Sequence, residues 1–422
     1  MTASTRDRRV GAARDSDLDQ QPLHRVSAML ERLESPVATY YLLLGACALL
    51  VSIGLVMVLS ASSVESYQQS GSSYTTFLGQ LRFAVLGVVA AAVVSRVPPR
   101  WWRIAAPWLL LIAIGLQGLV FSPLGVSVLG NRNWIELGGQ RLQPSEFGKL
   151  ALVIFGATVL AKKRPLLGRF FHALVPLVIP AGAILIGLVL LGHDLGTGLV
   201  LLAILGGMLF ASGVPARVFL VSGAGVAALA AALVMTSGNR MSRVSDWLSG
   251  CNDVTKCFQT VHGKYALADG GWWGVGLGAS REKWQWLPEA HNDFIFAIIG
   301  EELGLPGTFI VIGLFAVLAF ACYRLVLRTE DLFVRVAASG IMVWIVIQAI
   351  INIGSVIGLL PVIGVPLPLV SSGGSALMST LVALGLLLSF ARNEPGAKEA
   401  LAARPGPVRR SLAVLPRRSG RG

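Results

Sequence analysis

Charge is scarce in this chain: 14% of its 422 residues are Asp, Glu, Lys or Arg, with 22 acids against 35 bases. An ordinary soluble domain carries about 25% charged residues, so a water-facing surface of normal polarity is excluded. Four cysteines over this length exclude a disulfide scaffold, and Cys47 and Cys322 sit in apolar runs where small buried thiols are expected. The first 35 residues lack an apolar signal core and hold equal numbers of Arg and acids, so targeting is expected from the first span itself. What the chain has instead is hydrocarbon: 54% of it is hydrophobic and its mean hydropathy is +0.70. That composition reads as a membrane protein.

Ten apolar runs approach the length that crosses a bilayer, near residues 38–61, 77–97, 102–121, 146–162, 171–191, 195–212, 217–236, 293–322, 333–358 and 367–391. Pro98-Pro99, Pro165, Pro215, Pro288 and Pro361 punctuate their ends. In lipid only helices and closed barrels satisfy their backbone, and barrel strands alternate where these runs do not. The fold predicted is an all-α polytopic bundle of about ten transmembrane helices. It occupies residues 38–392, between a tail at 1–37 and a basic, Pro- and Gly-rich tail at 393–422. Both tails are expected to be disordered.

Short loops on one side carry the bases: Arg96, Arg100 and Arg103, then Lys162, Lys163, Arg164 and Arg169, then Arg217, then Arg324 and Arg328. The opposite loop Ser62–Thr76 has Glu65 and no base. The positive-inside rule therefore puts both termini in the cytoplasm. The net charge of +13 then reflects orientation, and no nucleic-acid partner is implied. A large extracytoplasmic loop follows at about 237–292. It holds Cys251 and Cys257, which suit either a small disulfide or two free thiols.

Several polar residues fall at the outer ends of spans. Asp293 opens the eighth span, and Glu301 lies eight residues on, a rotation of only about 80° in a helix, so Glu301 is expected to share a substrate cavity with Asp293. Glu289, a second candidate catalytic acid, and His291, a candidate substrate contact, flank Asp293. A carboxylate at a helix N-terminus is stabilised as an anion, while a neighbouring acid and desolvation push the other way; the balance suits a general base. Arg132, Arg141, Lys149, Arg281 and Lys283 form a candidate cradle for a phosphate-bearing donor. Other residues read both ways. Glu146 and Lys149 fit a structural ion pair or a site, Asp194 an ion pair or a ligand contact, and Gln348 and Asn352 interhelical bonds or ligand contacts. Glu302 fits a packing residue or a cytoplasmic-network residue. The segment "PLPLVSSGGS" breaks helical regularity at Ser371, Gly373 and Gly374, tolerated at membrane depth only inside protein or along a cavity.

Four ordered motifs carry a resemblance: "NWIELGGQRLQPSEFGKLAL" from Asn133, "DLGTG" from Asp194, "LPEAHNDFIFAIIGEELGLPG" from Leu287 and "GLLPVIGVPLPLVSSGGS" from Gly358. Together they look like the SEDS family of shape, elongation, division and sporulation proteins, over residues 38 to 392. "VMVLSASSVES" and "LPEAHNDFIFAIIGEELG" resemble the family's division members more than its elongation members. The resemblance implies a peptidoglycan glycosyltransferase that polymerises lipid II at the outer face of the cytoplasmic membrane, at the division septum. The implied partners are a class B penicillin-binding protein transpeptidase and other division-complex proteins.

Asp293 matches the family's essential aspartate, implied to activate the acceptor hydroxyl. Glu289 and His291 match the motif around it, Glu146 and Lys149 the "QPSE" helix start, and Ser371, Gly373 and Gly374 the last motif. A divalent ion, Mg or Mn, is implied to assist the pyrophosphate, although no metal-ligand cluster is present in the sequence. Three positions depart from the family pattern: Asn133, preceded by Arg132, stands where Arg usually precedes Trp, His193 precedes Asp194, and Ser372 replaces a Tyr. The alternatives are a lipid II flippase, an elongation-type polymerase and a scaffold of the division complex.

Overall fold

The computed structural model describes residue 35 and residues 37–128, 131–235, 238–250 and 257–402. Most of both expected tails, and Cys251, lie outside the described residues. The helices that form the membrane domain are α1 (Ala38–Ser70), α2 (Thr75–Val94), α3 (Pro99–Leu119), α4 (Pro144–Lys162), α5 (Phe170–Leu191), α6 (Leu195–Ala211) and α7 (Ala216–Met235). After them come α8 (Gly238–Leu248), α9 (Phe258–Gly270), α10 (Ile295–Arg328), α11 (Leu332–Val356), α12 (Gly374–Arg392) and α13 (Ala397–Ala402).

Eight helices, α1 to α5 and α10 to α12, are long and apolar enough to cross a membrane. The other two expected spans are the apolar helices α6 and α7. The protein is a multi-pass helical membrane protein. Contacts divide it into a major unit, Leu42–Phe390, and a minor one from the two ends, Met1–Tyr41 with Ala391–Gly422. In the minor unit Thr39 Oγ1 donates to Glu394 Oε2 at 3.4 Å.

Helix starts follow local chemistry. Pro99 and Pro144 occupy first-turn positions, where a missing N–H costs nothing. Asp194 caps α6 by accepting from Thr197 N at 2.8 Å, and Asp331 caps α11 by accepting from Phe333 N at 3.0 Å. Burial sorts the bundle: α4, α11 and α12 are mostly buried, whereas α2 and α3 expose most of their surface to the surroundings. α11 packs on α4, α6 and α10, so it forms the central post.

Three features differ from a bundle joined by loops. Between α3 and α4 lies a small antiparallel sheet, β1 (Gly125–Val128), β2 (Asn131–Leu137) and β3 (Gln140–Leu142). Gly138 and Gly139, with φ of 58° and 76°, make the two-residue hairpin turn between β2 and β3. The long loop is partly helical, in α8 and α9, and α9 packs on α10.

Most consequential, α10 breaks at Gly304, whose φ of 66° and ψ of −161° no helix admits. Pro306 then sits in the first turn of the second segment, where proline is tolerated. The carbonyls of Glu301 and Glu302, released by the break, accept from Val275 N at 2.9 Å and Gly276 N at 3.1 Å. The segment 271–278 is thus laced into the break.

Candidate active site

The segment between α9 and α10 reaches α10 through a tight turn. Glu289 adopts φ 56°, and its carbonyl accepts from Asn292 N at 3.0 Å and Phe294 N at 3.2 Å. Asn292 Nδ2 donates to Glu289 Oε2 at 3.3 Å. Leu287, Ala290 and Phe294 are buried and anchor the turn, leaving Asp293 half-buried at its crest. α10 begins at Ile295 with Phe294 as its cap, so Asp293 precedes the helix rather than opening it. The helical rotation that would align Asp293 with Glu301 therefore does not apply, although Asp293 still lies at the positive end of the dipole. Glu289 is a non-glycine residue in the left-handed region, where strain of about 1–3 kcal/mol is usual and clusters at functional sites.

Two other elements clamp this turn. Asn352 of α11 donates to the main-chain carbonyls of Asp293 and Val365, each at 2.8 Å. Gly364, with φ 70°, passes so close that a Cβ there would lie 3.4 Å from Asp293 Oδ2. From the last motif, Ser371 Oγ donates to Asn292 O at 2.7 Å and Ser372 N donates to His291 O at 2.9 Å. That motif is itself held by Gln80 of α2, which donates to Ser371 O and accepts from Gly373 N, both at 3.1 Å. Gly374 is required by space, because a Cβ there would fall 2.2 Å from the Phe83 ring of α2.

His291 turns toward α1, where its Nδ1 lies 3.3 Å from Glu65 Oε2. Burial pulls the imidazole pKa down, but Glu65 opposes it, joined by the negative charges of Glu289 and Asp293. The net shift is upward, favouring the imidazolium.

Beside the turn lies a second polar centre. Lys149 Nζ, fully buried, donates to Glu146 Oε1 at 2.7 Å and to Gln348 Oε1 at 3.1 Å, and it sits 4.9 Å over the Trp344 ring. Gln348 in turn donates to Pro366 O at 3.1 Å. Ser375 accepts from Gln143 N at 3.2 Å and Ser379 donates to Glu146 at 3.4 Å, so the second half of the last motif seats the "QPSE" helix. Asp194 Oδ2 accepts from Gln143 Nε2 at 3.0 Å. Burial pushes the Asp194 carboxyl up against the opposing Thr197 bond. Gly196 of the "DLGTG" turn packs against Val365, so the other three motifs converge on residues 363–379.

The remaining candidates are engaged elsewhere. Arg132 folds back on the end of α3, donating to Val120 O at 3.1 Å and Ser122 O at 3.0 Å. Glu301 is buried and accepts from Ser280 Oγ at 2.5 Å and Arg281 N at 2.6 Å. Glu302 accepts from Lys283 Nζ at 3.1 Å and Ser60 Oγ at 2.7 Å. Lys283 is consequently buried, while the Arg281 side chain is exposed. Cys257 is disulfide-bonded, and Cys47 and Cys322 are free. Among the described residues no three His, Cys, Asp or Glu side chains group to hold a metal ion.

Sequence reading missed Glu65, Gln80 and Gly364 as partners of the site. A signal existed for Gln80, a lone buried amide in the apolar helix "TTFLGQLRFAVLGVVAAAVV"; Glu65 stood out only as the acid of a loop without bases, and nothing in the sequence paired it with His291.

This arrangement has counterparts among known proteins. Residues 40–395 match the model of FTSW_RODA_SPOVE, the cell cycle protein family. The chain belongs to this family. It is 42% identical over 385 residues to the probable peptidoglycan glycosyltransferase FtsW of Mycobacterium tuberculosis, covering 91% of this chain and 73% of that one. To the stage V sporulation protein E of Bacillus subtilis it is 39% identical, over 82% of this chain and 94% of the relative. Among solved structures, a chain described under "Structural coordination of polymerization and crosslinking by a peptidoglycan synthase complex" superposes with a TM-score of 0.69 at 27% identity. That match covers 83% of this chain and 97% of the other. Thermus thermophilus RodA superposes at 0.63 with 28% identity, over 84% of this chain and 97% of RodA. The solved relatives share the fold of this chain.

Proposed function

We propose that this FtsW-like protein is a peptidoglycan glycosyltransferase that polymerises lipid II at the outer face of the cytoplasmic membrane during division, with Asp293 as its general base. The observation that carries the residue assignment is the clamp on Asp293. Two separate elements, α11 and the segment before α12, hold the turn around one carboxylate at a helix N-terminus. Such preorganisation suits a group that must meet a substrate hydroxyl at hydrogen-bond distance.

In the reaction, the Asp293 carboxylate takes the proton of the acceptor sugar hydroxyl as that oxygen attacks the donor's anomeric carbon. The C–O bond to the pyrophosphate breaks and undecaprenyl pyrophosphate leaves with the electron pair. Of the candidate bases, Arg281 and Arg141 keep exposed side chains, which suits them to meet the departing anion. Glu289 shapes the turn, and Glu146 with Lys149 holds the neighbouring wall. A class B penicillin-binding protein is the expected crosslinking partner, and the termini are expected in the cytoplasm.

The test is lipid II polymerisation by the purified protein with its transpeptidase, comparing wild type with Asp293→Asn and with the transpeptidase alone. Glycan chains from wild type and none from an intact variant complex are expected. Equal product from both would overturn the assignment. Transbilayer movement of lipid II without product from either would instead favour a flippase.

A further inference from the structure

The segment laced into the α10 break carries a surface that the reaction does not use. Trp272 and Trp273 are 74% and 85% exposed, and Leu277 is 59% exposed. Their backbone is not free to turn them inward. Gly271 O accepts from Leu305 N at 3.2 Å, Val275 and Gly276 donate to the carbonyls of Glu301 and Glu302, and Gly304 packs directly on the Trp272–Gly274 backbone. We infer that residues 271–277 form a membrane-interface anchor, with Trp272, Trp273 and Leu277 seated among the lipid headgroups and upper acyl chains of the outer leaflet.

Two independent helices set the depth of this segment. From Leu305 to Arg328 the second part of α10 rises about 35 Å at 1.5 Å per residue, enough to cross the roughly 30 Å hydrocarbon core unaided. Its far end carries Arg324 and Arg328, so the break lies at the opposite boundary. On α1, Ser60 bonds to Glu302 beside the same break. Ser60 is where the apolar run of α1 gives way to "SASSVESYQQS". Both helices therefore put the Trp segment at the edge of the hydrocarbon, where indole rings are enriched because one end prefers an apolar and the other a wet surrounding.

The occupant follows from continuity. Directly below the break the outer surface of α10 exposes Phe309, Ile310 and Ile312. On a span of this length that face meets acyl chains, and the Trp segment extends the same apolar surface upward. Trp284 and Trp286 are also exposed, but Gln285 between them contacts Gln68, beyond the apolar run of α1, so they lie above this level. The anchor would fix the height of the segment that leads to Asp293 without touching substrate.

Depth is measured directly, and independently of activity. In full-length protein bearing Cys47→Ala and Cys322→Ala, a spin label is placed at Trp273→Cys. Labels at Phe309→Cys and Gln69→Cys serve as references, all in phosphatidylcholine/phosphatidylglycerol vesicles. Power saturation with oxygen and a nickel chelate should place position 273 between the two references. A label as nickel-accessible as position 69 would overturn the anchor. So would a label shielded from both reagents, which would mean that protein covers the patch.

A gentler variant guards against misfolding. In Trp272→Phe/Trp273→Phe, quenching of the total tryptophan fluorescence by lipids brominated near the headgroup should fall below the wild-type level. Unchanged fractional quenching would overturn the inference.

Discussion

Ser371 Oγ donates to Asn292 O at 2.7 Å and accepts from Leu367 N at 2.8 Å. One hydroxyl thus joins the approach to α12 with the residue before Asp293. Replacing Ser371 with Ala leaves a buried N–H and a carbonyl short of a partner, and each net hydrogen bond contributes about 1 kcal/mol. If part of that loss loosens the turn, kcat should drop roughly tenfold, the equivalent of 1.4 kcal/mol. Ser371→Thr, which keeps the hydroxyl, should retain most activity. Steady-state polymerisation rates for the two variants check this, and an unchanged kcat in Ser371→Ala would show that the clamp is dispensable.

Glu146 and Lys149 make the buried ion pair of the second centre. Removing one partner strands a charge in a low-dielectric interior, typically costing about 3–5 kcal/mol, whereas removing both is far milder. Lys149→Met should lower the thermal midpoint in detergent sharply, and Glu146→Gln/Lys149→Met should recover much of it. Equal destabilisation by the single and the double variant would show that packing, not charge, dominates there.

Gly304 and Gly313 lie on the same helix and should respond oppositely to alanine. At Gly304 a Cβ would sit 2.5 Å from Gly274 N, on a backbone with φ 66°. At Gly313 nothing lies within 4 Å, and alanine is favoured over glycine in a helix by about 0.5–1 kcal/mol. Gly304→Ala should therefore expose residues 271–278 to limited proteolysis, while Gly313→Ala should leave the digestion pattern unchanged. The reverse pattern, or no difference, would contradict the laced break.

The contact between His291 and Glu65 makes stability depend on pH. The folded pKa of His291 lies above its ordinary 6.5. The stabilisation is accordingly complete below that value and is lost as pH rises through the folded pKa. The difference in thermal midpoint between wild type and Glu65→Gln should be largest from mildly acid pH up to about 6.5 and shrink toward alkaline pH. A difference that grows with pH would mean that the two groups do not pair as ions.

Much of the bundle is legible before folding, as particular helices show. The run 77–97 corresponds to α2 at Thr75–Val94, and the run 146–162 to α4 at Pro144–Lys162, because transfer from water to lipid sums residue by residue. Asp293 stood out for the same local reason, as an acid at the mouth of an apolar run. The break at Gly304 was less legible. "GLPG" inside an otherwise continuous hydrophobic stretch signals a possible stop and restart, but only the amides of Val275 and Gly276, which satisfy the released carbonyls, make the break stable.

Which polar groups meet was decided by tertiary structure alone. Gln80 reaches Ser371 across 291 positions of sequence, and Ser60 reaches Glu302 across 242. Five bases were equal candidates for an anion on composition, yet Lys149 and Lys283 are buried in ion pairs and Arg132 caps α3, leaving Arg281 and Arg141 exposed. Sequence by itself determined the solvent, the helices and the acid at the helix mouth, since these depend on free energies that add along the chain. The clamp on Asp293 depends on hydrogen-bond geometry between distant segments, which exists only once α2, α10, α11 and the approach to α12 have packed together.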